Sequence, residues 1–366
     1  MIPMAKPVVD NEEIEAVKEV LLSGGLAQGK KVGEFEEAFA AYLGTKYAVA
    51  VSSGTAALHL ALLAHDLGEG VEVITTPFSF IATANAILFT RARPVFGDIE
   101  EKTFNLAPEQ VEEKITSRTK AILPVHLYGQ PCAMDKIMGI ARKYNLIVIE
   151  DACQAHGAEY KGRKVGSFGT GCFSFYPTKN MTCGEGGMVT TNRAEIADRI
   201  RMLRNHGQKE RYFHIMLGYN LRMTDIVAAI GLCQLKKLED FNAKRRLNAQ
   251  ELTQGLQNIK GIITPYVSSE VKHVFHQYTI RVTEEFGISR DALREELTRM
   301  GVATEVYYPL PIHCQPLYKE QGYNEYLSQV EKAAREVLSL PVHPSVKKKE
   351  IQEVQNAFKQ ITVGKL

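Results

Sequence analysis

Residues 47–64 read YAVAVSSGTAALHLALLA. A five-residue run of β-forming apolar side chains stops at Ser52-Ser53-Gly54-Thr55, and an apolar helical stretch begins at once. The same unit recurs downstream: EVITTPF (72–78) before SFIATANAIL (79–88), RPVFGDI (93–99) before APEQVEEKI (107–115), and KAILPVHL (120–127) before MDKIMGIARKY (134–144). Short strands alternating with helices form a parallel α/β sheet, because each crossover covers one face of the sheet with a helix. Two further strands are expected at Leu146–Glu150 (LIVIE) and Cys172–Tyr176 (CFSFY). They are followed by the Gly-rich GEGGMVTTN (184–192) and a helix from about Arg193. The sum is a mostly parallel sheet of about seven strands.

Outward from this block the pattern changes. After Ile230 a long charged helix, LCQLKKLEDFNAKRRLNAQELTQGL (232–256), leads to HQYTIRV (276–282) and to helices near Arg290 and Val330. This predicts a large α/β domain over 1–240, with an N-terminal helical segment, and a smaller α+β domain over 241–366. A chain of 366 residues has room for about two domains. With 45% hydrophobic and 23% charged residues it has a globular composition, which excludes disordered and disulfide-scaffold classes. Lys plus Arg number 44 against 42 Asp plus Glu, a net charge of +2. A nucleic-acid or anionic-membrane partner would favour a basic excess or stripe, and neither is expected here. No apolar run approaches the roughly 20 residues of a membrane span, and the start MIPMAKPVVDNEE lacks a signal peptide's apolar centre. Six scattered cysteines without a CxxC pair read as reduced thiols, so a cytoplasmic protein is expected.

Ligands of open parallel sheets bind beyond the carboxyl ends of the strands. Three such ends carry chemistry. Ser52–Thr55 opens a helix whose small residues and free N–H groups suit a phosphate, although an ordinary helix cap has the same composition. Asp151 follows LIVIE, a carboxylate at the end of a buried strand; it is read either as a functional acid or as a cap or structural ion pair. Lys179, in Pro177-Thr178-Lys179-Asn180, is a nucleophilic amine if burial lowers its pKa, and an exposed loop lysine otherwise. Together with Phe80, an aromatic at a strand end that could stack on a ring or fill the core, these meet the needs of a pyridoxal 5′-phosphate site: an amine, an acid, a phosphate cup and a flat face.

Other motifs fail on context. Gly24–Lys31 (GGLAQGKK) matches GxxxxGK, but Lys31 stands where a magnesium-binding hydroxyl belongs and the preceding IEAVKEVLLS (14–23) is helical. Gly166–Gly171 is out of register for a dinucleotide fingerprint. His273 and His276, three positions apart in an expected strand, would face opposite ways, and no metal site is expected.

The chain resembles the DegT/DnrJ/StrS family of sugar aminotransferases, which have the pyridoxal-phosphate-dependent fold type I and act as homodimers. The matching stretches are SSGTAALHLAL, TTPFSFIATANAI, PVHLYGQP, VIEDACQAHGAEYKG, FSFYPTKNMTCGEGG, LRNHG, GYNLRMTDI and YYPLPIHCQP. The resemblance implies Lys179 as the lysine that bonds to the cofactor, Asp151 against its pyridine nitrogen and Gln154 near its phenolic oxygen. Gly54, Thr55 and Ser174 would hold its phosphate, joined by Asn220 of a second copy. His156, Tyr308 and His313 would lie near a nucleotide-linked keto sugar, with an amino acid, L-glutamate, as amino donor. A branch of the family carries histidine in place of the lysine and dehydrates its sugar; this chain keeps Lys179. The alternatives to transamination are that dehydration, or a noncatalytic regulatory role on the same fold.

Overall fold

The computed structural model describes residues 1–363. A seven-stranded sheet is assembled from β1 (Tyr47–Val51), β2 (Glu72–Thr75), β3 (Arg93–Phe96), β4 (Thr119–Leu123), β5 (Ile147–Asp151), β6 (Thr170–Ser174) and β7 (Gly187–Thr191), in the order β1-β7-β6-β5-β4-β2-β3. From β3 to β6 the pairing is parallel. β7 runs antiparallel to both β6 and β1. The strands expected at 146–150 and 172–176 begin one residue later and two residues earlier than read.

Successive residues of a strand point to opposite faces, and here both faces are buried. Val49 and Val51 join one apolar cluster and Ala48 and Ala50 another; Cys172 and Val189 fall with the first, Phe173 and Met188 with the second. That explains why the strands read as unbroken apolar runs. Of the helices α1 (Asn11–Ser23), α2 (Lys30–Leu43), α3 (Gly54–Ala64), α4 (Ala82–Phe89), α5 (Pro108–Glu113), α6 (Met134–Tyr144), α7 (Ala194–Leu203) and α8 (Asp225–Leu256), α3, α4 and α7 cover the first face. α2 and the start of α8 cover the second, with α5 and α6 beside them.

α8 begins at Asp225, earlier than the charge pattern indicates, because Thr224 caps it through Val227 N–H. Its 32 residues span about 48 Å. It packs on α1 and α2 near its start and on α12 (Lys348–Val363). Residues 240 and 241 lie inside this continuous helix. Beyond it, β8 (Ile262–Ile263), β9 (Tyr278–Val282) and β10 (Val337–Leu340) form a three-stranded antiparallel sheet. Around it lie α9 (Arg290–Arg299), α10 (Pro316–Glu320) and α11 (Ser328–Glu336). The start of the chain belongs with this part: Ile2 bridges Val302 in parallel and its N–H donates to Gly301 O at 2.8 Å.

Both rejected phosphate motifs turn out to hold carboxylates of their own chain. Gly24–Lys31 joins α1 to α2 without a strand, and the N–H groups of Gly29, Lys31 and Val32 donate to the Asp225 carboxylate at 2.8, 3.2 and 3.0 Å. The turn after Gly166 donates three backbone N–H bonds, from Gly166, Phe168 and Gly169, to the buried Glu150 at 2.8 Å each. Among the described residues no helix is long and apolar enough to cross a membrane.

Candidate active site

The carboxyl ends of β1, β5 and β6 open into one cavity of about 570 Å³. At the end of β1, Ser53 Oγ accepts the N–H of Ala56 at 3.1 Å and so starts α3. The first N–H groups of any helix lack intrahelical acceptors and its dipole favours an anion there. Gly54 is required at this point, since a Cβ would stand 2.6 Å from the Ser174 Cβ and 3.1 Å from the Cys153 sulfur. The close approach brings the helix start and the end of β6 together as one cup, lined by Gly54, Thr55 and Ser174.

Asp151 ends β5 and is almost completely buried. Its Oδ2 accepts the Thr83 hydroxyl at 2.8 Å and its Oδ1 the Cys153 N–H at 3.2 Å. Thr83 is held in turn by Ser79 at 2.8 Å. Its carboxylate is thus held from two sides by hydrogen bonds, and no salt bridge joins it to a cation among the described residues. Lys179 lies on the loop between β6 and β7 and lines the same cavity. Burial lowers its amine pKa, and the nearby Cys153 and Asp151 only partly counter this.

Phe80 is 58% exposed on the cavity wall, while Phe78, two residues earlier, is the core side chain. Gln154 spans the base: its Oε1 accepts the N–H of Tyr128 at 2.9 Å and its Nε2 donates to Tyr308 Oη at 3.2 Å. The loop carrying Tyr308 is tied down where Tyr128 Oη donates to Tyr307 O. Gly54, Thr55, Phe80, Asp151, Gln154, Ser174, Lys179 and Tyr308 therefore meet in one place.

Two expected residues, His156 and His313, do not reach this cavity, and Asn220, expected only from a second copy, does not line that of its own chain. His156 is buried behind β6 between Phe173 and Phe175, with ring centroids at 5.4 and 5.7 Å, and burial takes its pKa down to about 3. His313 lies in a single helical turn, Ile312–Cys314, and faces Phe96 and Glu331. Asn220 is exposed, next to Leu221, whose carbonyl accepts the Ser52 N–H at 2.9 Å.

Other lining residues escaped the sequence reading: Ser79, Thr83, Cys153, Tyr176, Glu185, His276, Gln277 and Tyr307. His276 is a correction. The strand expected at 276–282 begins only at Tyr278, and Phe275 takes a left-handed φ of +45°. The alternation breaks there, so His276 turns into the cavity wall while His273 stacks on Phe275 at 3.9 Å.

Residues 7–359 match the DegT/DnrJ/EryC1/StrS aminotransferase family. The chain belongs to this family. GDP-perosamine synthase of Caulobacter vibrioides is 40% identical over 367 residues, covering 99% of this chain and 98% of that protein. The crystal structure of DesV from S. venezuelae superposes with a TM-score of 0.92 at 40% identity, covering 96% and 94% of the two chains. Spr1654 of Streptococcus pneumoniae, solved in its PMP form, gives 0.93 at 28% identity over 99% and 98% of the chains; it is also known in a PLP form. The family depends on pyridoxal phosphate and has the fold-type I architecture, as the seven-stranded sheet does here. Membership makes the chain a sugar aminotransferase, in agreement with the resemblance read from its motifs.

Proposed function

We propose that this chain transfers an amino group from an amino acid, L-glutamate, to a nucleotide-linked keto sugar, using pyridoxal 5′-phosphate held in the β1/β5/β6 cavity. One observation carries the reading: a half-buried amine, Lys179, and a carboxylate fixed by Thr83 and Cys153, Asp151, line one cavity with a helix start. The residues fit the cofactor. Gly54 leaves a cup with no room for a Cβ, where Thr55 and Ser174 would take the phosphate. Phe80 offers a ring face, and Gln154 a polar edge.

When bound, the cofactor supplies an electron sink for a carbanion formed at the substrate carbon that carries nitrogen. Lys179 Nζ, neutral more readily because desolvation lowers its pKa, would take the proton from that carbon and deliver it to the cofactor carbon that keeps the nitrogen. Asp151 would hold the pyridine nitrogen and, as a carboxylate, favour its protonated form. Thr83 and the Cys153 N–H keep that carboxylate from swinging away.

The site is read as shared between two copies. Asn220 is exposed outside its own cavity, and the segment before it presents Tyr212 and Leu217 at 79% and 82% exposure. Apolar side chains gathered like this mark an interaction surface. Asn220 of a second copy would complete the phosphate cup. The six unpaired cysteines support a cytoplasmic setting.

The test is spectroscopic. L-glutamate should convert the holoenzyme to its pyridoxamine form, and a nucleotide-linked keto sugar should restore the aldehyde form, with ping-pong kinetics. A spectrum unmoved by glutamate, with the sugar losing water instead, would establish the dehydratase. A chain that takes up no cofactor would establish the noncatalytic role.

A further inference from the structure

Away from the catalytic cavity, three unlike donors converge between the turn Ile312–Cys314 and the first turn of α11. His313 Nε2 stands 3.3 Å from Cys314 Sγ and 3.6 Å from Glu331 Oε1, and all three donor atoms lie within 4.8 Å of one another. The 3.6 Å separation of His313 from Glu331 is longer than a charge-assisted N–H···O bond of about 2.7–2.9 Å, while the 3.3 Å thiol–imidazole contact is an ordinary sulfur hydrogen bond. Both suit a shared cation. Zinc binds imidazole nitrogen and carboxylate oxygen at about 2.0–2.2 Å and thiolate sulfur at about 2.3 Å, so a tetrahedral ion separates N from S by about 3.5 Å and N from O by about 3.4 Å.

The two elements are positioned without any ion. Ile312 N–H donates to Pro77 O at 2.9 Å, fixing the turn against the cavity wall. Asp98 accepts the N–H groups of Gln329 and Val330 at 3.0 Å each, fixing the start of α11. His313 is buried, Cys314 is half-buried, and the Glu331 side chain is 22% exposed. An ion could therefore enter from the Glu331 side and keep a water as fourth ligand. An N, S, O donor set is borderline in softness, which favours zinc over calcium or magnesium.

We infer that His313, Cys314 and Glu331 form a Zn²⁺ site that clips the Tyr307–Gln315 loop, and with it Tyr308 of the catalytic wall, to α11. Binding displaces the Cys314 thiol proton to solvent and changes no oxidation state. The sequence reading expected no metal because no spaced ligand motif is present: two donors are adjacent and the third comes from a different element. The inference stands apart from the identity of the sugar and of the amino donor.

The experiment loads the purified holoenzyme with Zn²⁺, dialyses it, and counts metal per chain by mass spectrometry. About one tightly held ion per chain is expected. Cys314→Ser and Glu331→Gln should each weaken retention at least tenfold, while Cys233→Ser, at a remote thiol, should not. A second measurement needs no variant: Zn²⁺ should slow alkylation of Cys314 in the wild-type protein at least tenfold, read by peptide mapping. Zinc retained equally by both folded variants, or alkylation of Cys314 at one rate with and without Zn²⁺, would overturn the inference.

Discussion

Asp151 and Lys179 differ in how much of their environment can be seen from the chain alone. Each stands where an apolar run stops, so each was legible as a candidate. What holds Asp151 was not: Thr83 sits inside α4, in the unremarkable ATANAILF, and nothing in that stretch signals that its hydroxyl reaches a carboxylate 68 positions away. Thr83→Val should keep the fold and lower kcat by roughly 10- to 150-fold, the cost of one lost hydrogen bond to a charged group, about 1.5–3 kcal/mol. Steady-state kinetics at saturating donor checks it. Lys179→Ala should abolish borohydride-trappable cofactor while the melting curve stays near wild type; persistent labelling would make another lysine the anchor. His276 was misplaced because alternation was extended past Phe275, whose left-handed backbone no residue-type pattern announces.

At the level of elements, the strand–helix alternation was readable because a sheet buried on both faces shows unbroken apolar runs. The direction of β7 was not, since a five-residue strand such as GMVTT reads the same in either sense. The start of α8 was missed for a related reason: its first turn is recognised by capping at Thr224 and by Asp225, not by the charge pattern of its body. Asp225 collects three N–H groups from the start of α2 and so fastens α2 to α8. Asp225→Ala would strand those donors in a buried setting, and we expect a loss of about 2–4 kcal/mol, measurable as a lower urea midpoint. Gly54→Ala should do its damage at the cup: the added methyl meets Ser174 and Cys153, costing about 1–3 kcal/mol of stability and weakening cofactor affinity together.

Across the whole molecule, buried imidazoles set the response to acid. Burial takes His156 and His273 down to about 3 from their ordinary 6.5. Between those values the unfolded chain binds protons that the folded chain refuses. Their contribution is therefore complete above about pH 6.5 and is lost as pH falls toward 3, at up to about 1.4 kcal/mol per pH unit for each group. His273→Gln should remove one proton from the uptake measured on unfolding at pH 5. The proposed sharing of the site is tested at the same scale. In a mixture of Asn220→Ala and Lys179→Ala chains, half the dimers would be hybrids with one intact site, so activity should return to about a quarter of wild type.

The bridge between Ile2 and Val302 has a consequence for how the protein is made. On a ribosome adding about 5–20 residues per second, the partner of Ile2 emerges roughly 15–60 s after Ile2 itself. Throughout that interval the large sheet can assemble while the segment around Ile2 waits undocked, so its docking on Gly301 and Val302 comes only after the whole sheet has been synthesised.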